Sequence, residues 1–289
     1  MMASDDRIEG SDFFSMRGDG VFRGSRARSA SPEGFDDPIH GIEMTMGGAM
    51  FTGIVQAKGR IVERIEVRHA GDADASFVIA PISDARGLDD PSAVAGFGSG
   101  SLAIGDSVCI GGVCLTATQV KADSFHVDVS APTLRLTTIA DWQVGRCVNL
   151  ELALTPSSLL GGHLVSGHVD GIGEVQNKHE DARSLRLDIA IPGDLGRYAA
   201  IKGSICIDGV SLTINSVEDI DSGGSDGRRS VVGVNLIPHT CRSTTLGALR
   251  VGDALNVEVD TIARYTERLL SYREVENSSG SDADADSDS

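Results

Sequence analysis

Ser107-Val-Cys-Ile-Gly-Gly-Val-Cys-Leu-Thr116 returns 97 residues later as Ser204-Ile-Cys-Ile-Asp-Gly-Val-Ser-Leu-Thr213. Around this pair other blocks recur in the same order. Thr133-Leu-Arg-Leu-Thr-Thr138 matches Thr240-Cys-Arg-Ser-Thr-Thr245, and Val148-Asn-Leu-Glu151 matches Leu255-Asn-Val-Glu258. Val144-Gly145 matches Val251-Gly252, and Thr52-Gly-Ile-Val55 is set beside Ser166-Gly-His-Val169. Ordered blocks with variable spacers indicate two copies of one fold. A period near 100 residues suits a whole small domain rather than a solenoid unit. Two copies imply two similar pockets, and hence chemistry on two similar ligands.

Each copy reads as strands. Ile61, Val78-Ile79, 108–110, 127–129 and 148–152 are short β-branched-rich runs, punctuated by Gly, Asp, Asn and Pro. Runs at 185–191, 205–207, 231–236 and 255–259 repeat the pattern. Many short strands with frequent turns predict a small closed antiparallel barrel in each half. Loops at 84–101 and 218–230 are expected at the surface. From Thr261 to Glu274 no Gly or Pro occurs, and Ile262, Tyr265, Leu269 and Tyr272 fall at helical spacing. That predicts an amphipathic helix, capped by Asp260 or Thr261, whose stripe packs on its own barrel or, as we favour, on other subunits. The expected organisation is a disordered leader over 1–49, barrels over 50–157 and 158–260, a helix over 261–275 and an acidic tail over 276–289.

Composition narrows the function. The formal net charge is −17, and lysine occurs only at Lys58, Lys121, Lys178 and Lys202. Such a surface disfavours nucleic acid and anionic membranes, whose phosphates need cations. No apolar run approaches the roughly twenty residues needed to span a bilayer, and no secretory or transit pattern opens the chain, so a cytoplasmic protein is expected. The acid excess reflects either a high-salt cytoplasm or two acidic tails on an ordinary enzyme. The five cysteines form no CxxC pair, which argues against a disulfide framework or zinc. Cys109 and Cys206, equivalent in the repeat, are expected as buried small hydrophobes. His163 and His168 lack a third convergent ligand, so no metal is expected. No GxxxxGK[ST] or strand-to-helix GxGxxG is present, and Gly96-Phe-Gly-Ser-Gly100 reads as a surface loop.

The copies serve as internal controls. Gly53/Gly167, Gly112/Gly209, Thr116/Thr213 and Thr133/Thr240 are shared, and read as turns or common ligand contacts. The differences are more telling: Cys114 faces Ser211, Gly111 faces Asp208 and Ile54 faces His168. A thiol can serve as nucleophile, a hydroxyl as hydrogen-bonding group and an imidazole as proton carrier.

The chain resembles riboflavin synthases of the alpha-chain type. The likeness rests on Met50-Phe-Thr-Gly-Ile-Val55, Gly112-Val-Cys-Leu-Thr116, Gly161-Gly-His-Leu-Val-Ser-Gly-His168, Asp208-Gly-Val-Ser-Leu-Thr213 and Ile237-Pro-His-Thr240 with Thr244-Thr-Leu246. It spans about Met50 to Arg273 and favours Met50 as the start. It implies two tandem six-stranded Greek-key barrels with a C-terminal helix, all-β in class, assembled as a homotrimer. It also implies dismutation of two 6,7-dimethyl-8-ribityllumazine molecules to riboflavin and 5-amino-6-ribitylaminouracil, with neither metal nor organic cofactor. The site would lie between the first barrel of one subunit and the second of a neighbour. By the same resemblance Cys114, His168, Ser211, Thr213, Asp208 and Asp260 are the catalytic set. Substrate contacts would be Gly53, Ile54, Val55, Cys114, Leu115, Thr116, Asp128, Val129, Ser130, Ala131, Pro132, Thr133, Gly167, His168, Val169, Lys202, Ser211, Leu212, Thr213, Leu236, Ile237, Pro238, His239, Thr240 and Cys241. Two departures stand out: Ser130-Ala-Pro132 where relatives carry a glutamate before the threonine, and Cys241 in place of a leucine. The alternative is a non-catalytic lumazine- or flavin-binding protein of the antenna type.

Overall fold

Alternation decides the fold locally. In β4 (Val113–Val120) Val113, Leu115 and Ala117 are buried, whereas Cys114 is half-buried and Thr116 exposed. A period of two puts the first set inside a barrel and the second on its outer wall. In β10 (Val210–Asp221) Val210, Leu212 and Ile214 point inward, with Ser211 and Thr213 outward. The computed structural model describes residues 48–69, 72–82, 97, 101–221 and 228–280. The expected leader before residue 48, most of the 84–101 loop, the middle of the 218–230 loop and the tail after 280 lie outside the described residues.

The first barrel comprises β1 (Ala57–His69), β2 (Asp72–Pro81), β3 (Ser107–Ile110), β4, β5 (Phe125–Val129) and β6 (Cys147–Leu152). The second comprises β7 (Gly171–Asp181), β8 (Ser184–Pro192), β9 (Ser204–Ile207), β10, β11 (Arg228–Leu236) and β12 (Ala254–Val259). Strand order round the first is β1-β2-β5-β4-β3-β6, and the second closes in the equivalent order. In each, three hairpin-linked strands are joined by a fourth that returns beside the first of them, the Greek-key arrangement. Even the irregularities repeat: register shifts at Ile61/Glu63 and Ala117/Gln119 recur at Val175/Asn177 and Ile214/Ser216. Such bulges raise local twist, which helps a short sheet to close. The predicted all-β class, duplication and barrel closure are all observed.

The cores differ in filling. The first holds Phe77, Phe97, Phe125 and Trp142, with Phe77 edge-on to Trp142 and Phe97 stacked on Phe125. The second is aliphatic, built from residues such as Leu187, Ile189, Val232 and Leu255. Phe97, expected in a surface loop, is fully buried, because closing the first barrel leaves an apolar gap that a ring fills. Cys109 and Cys206 are buried as expected, beside Phe51 and Val165.

Two short helices escaped the sequence reading: α1 (Ala131–Leu136) and α2 (Pro238–Ser243), each with proline in its first turn. At six residues each they are too short to show periodicity. The C-terminal helix α3 runs Thr261–Gly280, and Asp260 Oδ1 accepts from the Ile262 N–H at 2.9 Å as its cap. Polar contacts hold it to the second barrel: Arg264 grips Asp170, and Glu267 accepts from Arg197 and Tyr198. Its apolar stripe is bare. Ile262, Tyr265, Leu269 and Tyr272 are 59–68% exposed. Among the described residues no helix is long and apolar enough to cross a membrane.

Candidate active site at the barrel seam

The barrels join by exchanging their leading segments. Phe51 and Val165 pair antiparallel, through Phe51 N–H to Val165 O (2.7 Å) and Val165 N–H to Phe51 O (3.1 Å). From there each segment crosses to the other copy. Gly53, which leads into the first barrel, accepts from the Ser211 N–H of the second at 2.8 Å. Gly167, which leads into the second, accepts from the Cys114 N–H of the first at 2.8 Å. The fit excludes any side chain. A Cβ on Gly53 would come 2.6 Å from Ser211 Cβ, and one on Gly167 would come 2.6 Å from Cys114 Cβ. Both glycines also hold positive φ, +71° and +73°.

Buried glutamates set these turns. Glu151 accepts from Thr52 N–H (2.7 Å), Thr52 Oγ1 (2.6 Å) and Gly53 N–H (3.0 Å). Glu258 accepts from Ser166 N–H (2.7 Å), Ser166 Oγ (2.7 Å) and Gly167 N–H (2.9 Å). Burial pushes both carboxyls up, and these hydrogen bonds hold them back. Asparagines lock the far side of the seam. Asn149 Nδ2 donates to Asp208 O and Asn256 Nδ2 to Gly111 O, both at 2.8 Å. Their carbonyls accept from Thr245 N–H and Thr138 N–H, again both at 2.8 Å. The sequence displayed these Asn and Glu pairs as repeats without revealing that they belong to a site. Their signal was recurrence of polar residues inside otherwise apolar strands.

The seam therefore presents two outward faces of like construction. One carries Cys114 and Thr116; continuing the β4–β5 register puts Asp128 beside Thr116. The other carries Ser211 and Thr213, with Asn235 in the place of Asp128. Asn235 was missed by the sequence reading. The chemistry of the two faces is unequal. Burial raises the Cys114 thiol, a hydrogen bond with Ser107 opposes this, and the Glu258 charge adds to the rise. Burial thus disfavours the thiolate. On the other face the Ser211 hydroxyl lies 2.7 Å from His163 Nδ1. Sequence reasoning considered His163 only as a metal ligand. Among the described residues no three His, Cys, Asp or Glu side chains converge as a metal site.

The remaining predicted residues distribute as follows. Leu115, Val129 and Leu212 are buried in the barrel cores, so their side chains back the faces rather than line them. Ile54 and His168 are exposed at equivalent places beside the crossing turns, followed by half-buried Val55 and Val169. Asp128 accepts from Ser76 Oγ at 2.5 Å. Ser130 precedes α1, its Oγ 3.1 Å from Thr133 Oγ1, while Ala131 N–H donates to Asp74. Pro132 is exposed at the start of that helix. Leu236 is buried, Ile237, Pro238 and His239 are exposed, Thr240 O accepts from Thr244 Oγ1 at 2.7 Å, and Cys241 packs on the second core. Lys202 takes φ +70° where the first copy has Gly105, and exposes its side chain.

Two predicted catalytic carboxylates are held in structural bonds. Asp208 is buried at φ +46°, its Oδ1 accepting from Asn256 N–H at 2.8 Å, and burial raises its carboxyl to about 6. Asp260 caps α3. Of three cavities among the described residues, none is lined by Cys114 or Ser211. One of about 910 Å³ lies on the second barrel near Ile172, Arg197 and Arg229. Another, about 410 Å³, lies behind the seam near Trp142, Arg146 and Asp208. A hollow of about 420 Å³ flanks the Gly53 turn and reaches Ile54, Gln56 and Glu151. Cys114 and Ser211 are half-buried on the outer walls of their barrels.

The chain matches the family profile of the lumazine binding domain twice, over residues 52–153 and 166–260. It is 36% identical over 237 residues to the riboflavin synthase of Photobacterium leiognathi, covering 82% of this chain and 96% of that one. It is 38% identical over 222 residues to the riboflavin synthase of Mycobacterium tuberculosis, covering 76% and 98%. Among solved structures, LumP complexed with 6,7-dimethyl-8-(1'-D-ribityl)lumazine superposes with a TM-score of 0.55 at 26% identity, covering 72% of this chain and 98% of that one.

Proposed function

We propose that this chain, which belongs to the riboflavin synthase family, dismutates two molecules of 6,7-dimethyl-8-(1-D-ribityl)lumazine into riboflavin and 5-amino-6-(D-ribitylamino)uracil. The observation that carries the reading is the reciprocal seam. Gly53 seated on Ser211 and Gly167 seated on Cys114 make two matched platforms whose exposed groups differ. A dismutation of identical molecules needs that combination: equal recognition of both, unequal treatment of each. Fixing two rings in register turns an encounter into a local reaction, which removes several kcal/mol of entropic barrier.

Most of the predicted residues have a role in this scheme. Thr116 and Thr213 hydrogen-bond the heterocycles, as do backbone groups at 53–55 and 167–169. The segments 128–133 and 236–241 and Lys202 supply the remaining substrate contacts. His168 moves protons. Cys114 stands beside the ring carbon that accepts the nucleophile, and burial pushes its thiol up, away from the thiolate. Asp208 and Asp260 act by holding the seam and α3 in place.

The protein works as a cytoplasmic homotrimer, its domains dividing near residues 157 and 260. The bare stripe of α3 supports assembly, since four large side chains at helical spacing leave an apolar face for other copies to cover. Cys114 and Ser211, on the outer walls and lining none of the three cavities, support a site completed across the subunit boundary.

The test is direct. Purified protein incubated with dimethylribityllumazine should yield riboflavin, seen by its fluorescence, and the uracil in equal amount. The likeness to LumP favours a second reading, binding without turnover. Tight uptake of lumazine with no product would establish that reading instead.

A further inference from the structure

His163 stands in the second copy where Ala49 stands in the first, three residues before the crossing turn in each case. Ala49 packs with Cys114 against the small apolar cluster at the seam axis, and has nothing to offer a thiol but a methyl group. His163 puts Nδ1 2.7 Å from the Ser211 hydroxyl oxygen. Its other nitrogen, Nε2, is buried and has no hydrogen-bond partner among the described residues.

That orphan nitrogen selects the tautomer. A neutral imidazole has one N–H and one lone pair. A proton on Nε2 would be a buried donor with no acceptor, whereas a bare lone pair there is the smaller loss. The imidazolium would strand the same N–H, and burial indeed lowers the His163 pKa, with the Asp260 charge only opposing in part. A proton on Nδ1, donated to Ser211 Oγ, leaves the fewest groups unsatisfied. Ser211 is hemmed in elsewhere too. A Cβ on Gly162 would come 2.9 Å from its Oγ, and one on Gly53 would come 2.6 Å from its Cβ. With one lone pair engaged by Nδ1–H, the hydroxyl proton is available to a ligand.

We propose, on the riboflavin synthase reading, that His163 is a positioning residue which donates from Nδ1 to Ser211 Oγ and so presents the Ser211 O–H as a fixed hydrogen-bond donor to a heterocycle on the second barrel. A lumazine offers ring nitrogens and carbonyl oxygens as acceptors. The first barrel has only the weaker thiol donor at the equivalent point. The His163–Ser211 pair thus distinguishes two identical substrates by the strength of the donor each one meets.

Two measurements test this. In protein labelled with ¹⁵N-histidine, two-bond ¹H–¹⁵N correlations should show His163 protonated at Nδ1. A proton on Nε2 would overturn the proposal whether or not the protein makes riboflavin. In steady-state turnover of dimethylribityllumazine, His163→Phe should lower kcat at least about tenfold, with KM and thermal midpoint little changed. His163→Asn, which keeps an N–H near the Nδ1 position, should recover most of that loss. In a Ser211→Ala background His163→Phe should cost less than about threefold more, because the pair acts as one unit. Equal damage from Phe and Asn, wild-type turnover in His163→Phe, or a full tenfold loss in the Ser211→Ala background would each overturn it. A wild-type protein that makes no riboflavin fails the synthase reading, and the tautomer then decides the pair alone.

Discussion

At the first platform Cys114 receives the Gly167 turn, packs with Ala49 and hydrogen-bonds Ser107. At the second, Ser211 receives the Gly53 turn and meets His163. The scaffolds superimpose in logic down to glutamate, asparagine and bulge, while the groups that would touch a ligand have diverged. Left-handed backbone marks further divergence: Lys202 and Asp208 hold positive φ where the first copy has Gly105 and Gly111. A non-glycine residue there costs about 1–3 kcal/mol, a burden carried only by the second copy. The lesson is that the seam conserves geometry and varies chemistry, which is what a reaction between two copies of one substrate requires.

The comparison is broken most severely at the turns. Gly53→Ala and Gly167→Ala should each lose about 2–5 kcal/mol, from left-handed strain plus overpacking against Ser211 or Cys114. Urea denaturation should show both losses, similar in size; tolerance of one alone would mean the crossings are not equivalent.

Asp208→Asn probes the carboxylate that only the second copy has. Burial raises the folded-state pKa from 3.8 to about 6, so between those values the native protein keeps a proton that the unfolded chain has released. Stability should therefore fall as pH rises through that window, by at most about 3 kcal/mol. Asparagine still accepts from Asn256 N–H and tolerates positive φ, so the variant should lack this component and be the more stable at pH 7. A pH–stability curve identical to wild type would refute the account. Loss of turnover with that curve flattened as expected would support Asp208 as a member of the catalytic set.

Exchanging the reactive groups sharpens the contrast. Cys114→Ser should reduce turnover about tenfold or more while lumazine affinity changes less than threefold. Unchanged turnover would remove the thiol from the mechanism. The smallest effect concerns both copies equally. Raising potassium chloride should stabilise an acid-rich surface by about 1 kcal/mol or less, as screening relieves repulsion. Indifference to salt would end the high-salt interpretation of the net charge of −17.

Much of this was legible in the chain. Alternating apolar residues in Val113–Ala117 and Val210–Ile214 gave strands with a defined inside, and recurrence of the Cys114 and Ser211 blocks gave the duplication. Phe97 was misplaced, because a lone phenylalanine among glycines carries no period. Helices α1 and α2 were missed for the same reason, at six residues each. Glu151 and Glu258 were visible as repeats but silent about their partners, which lie about a hundred residues away in sequence.

By itself the sequence determined the two barrels, because inward and outward faces are written as a period of two along each strand. It also determined that the halves differ at Cys114/Ser211 and Ile54/His168, since equivalent positions can be compared directly. Only the tertiary structure decided that each leading segment crosses to the other barrel, that Asn149 and Asn256 lock the seam, and that His163 belongs to Ser211. Those pairings depend on which buried donors and acceptors remain unsatisfied once both barrels have closed. No local pattern encodes that, because the partners meet only when the whole chain is folded.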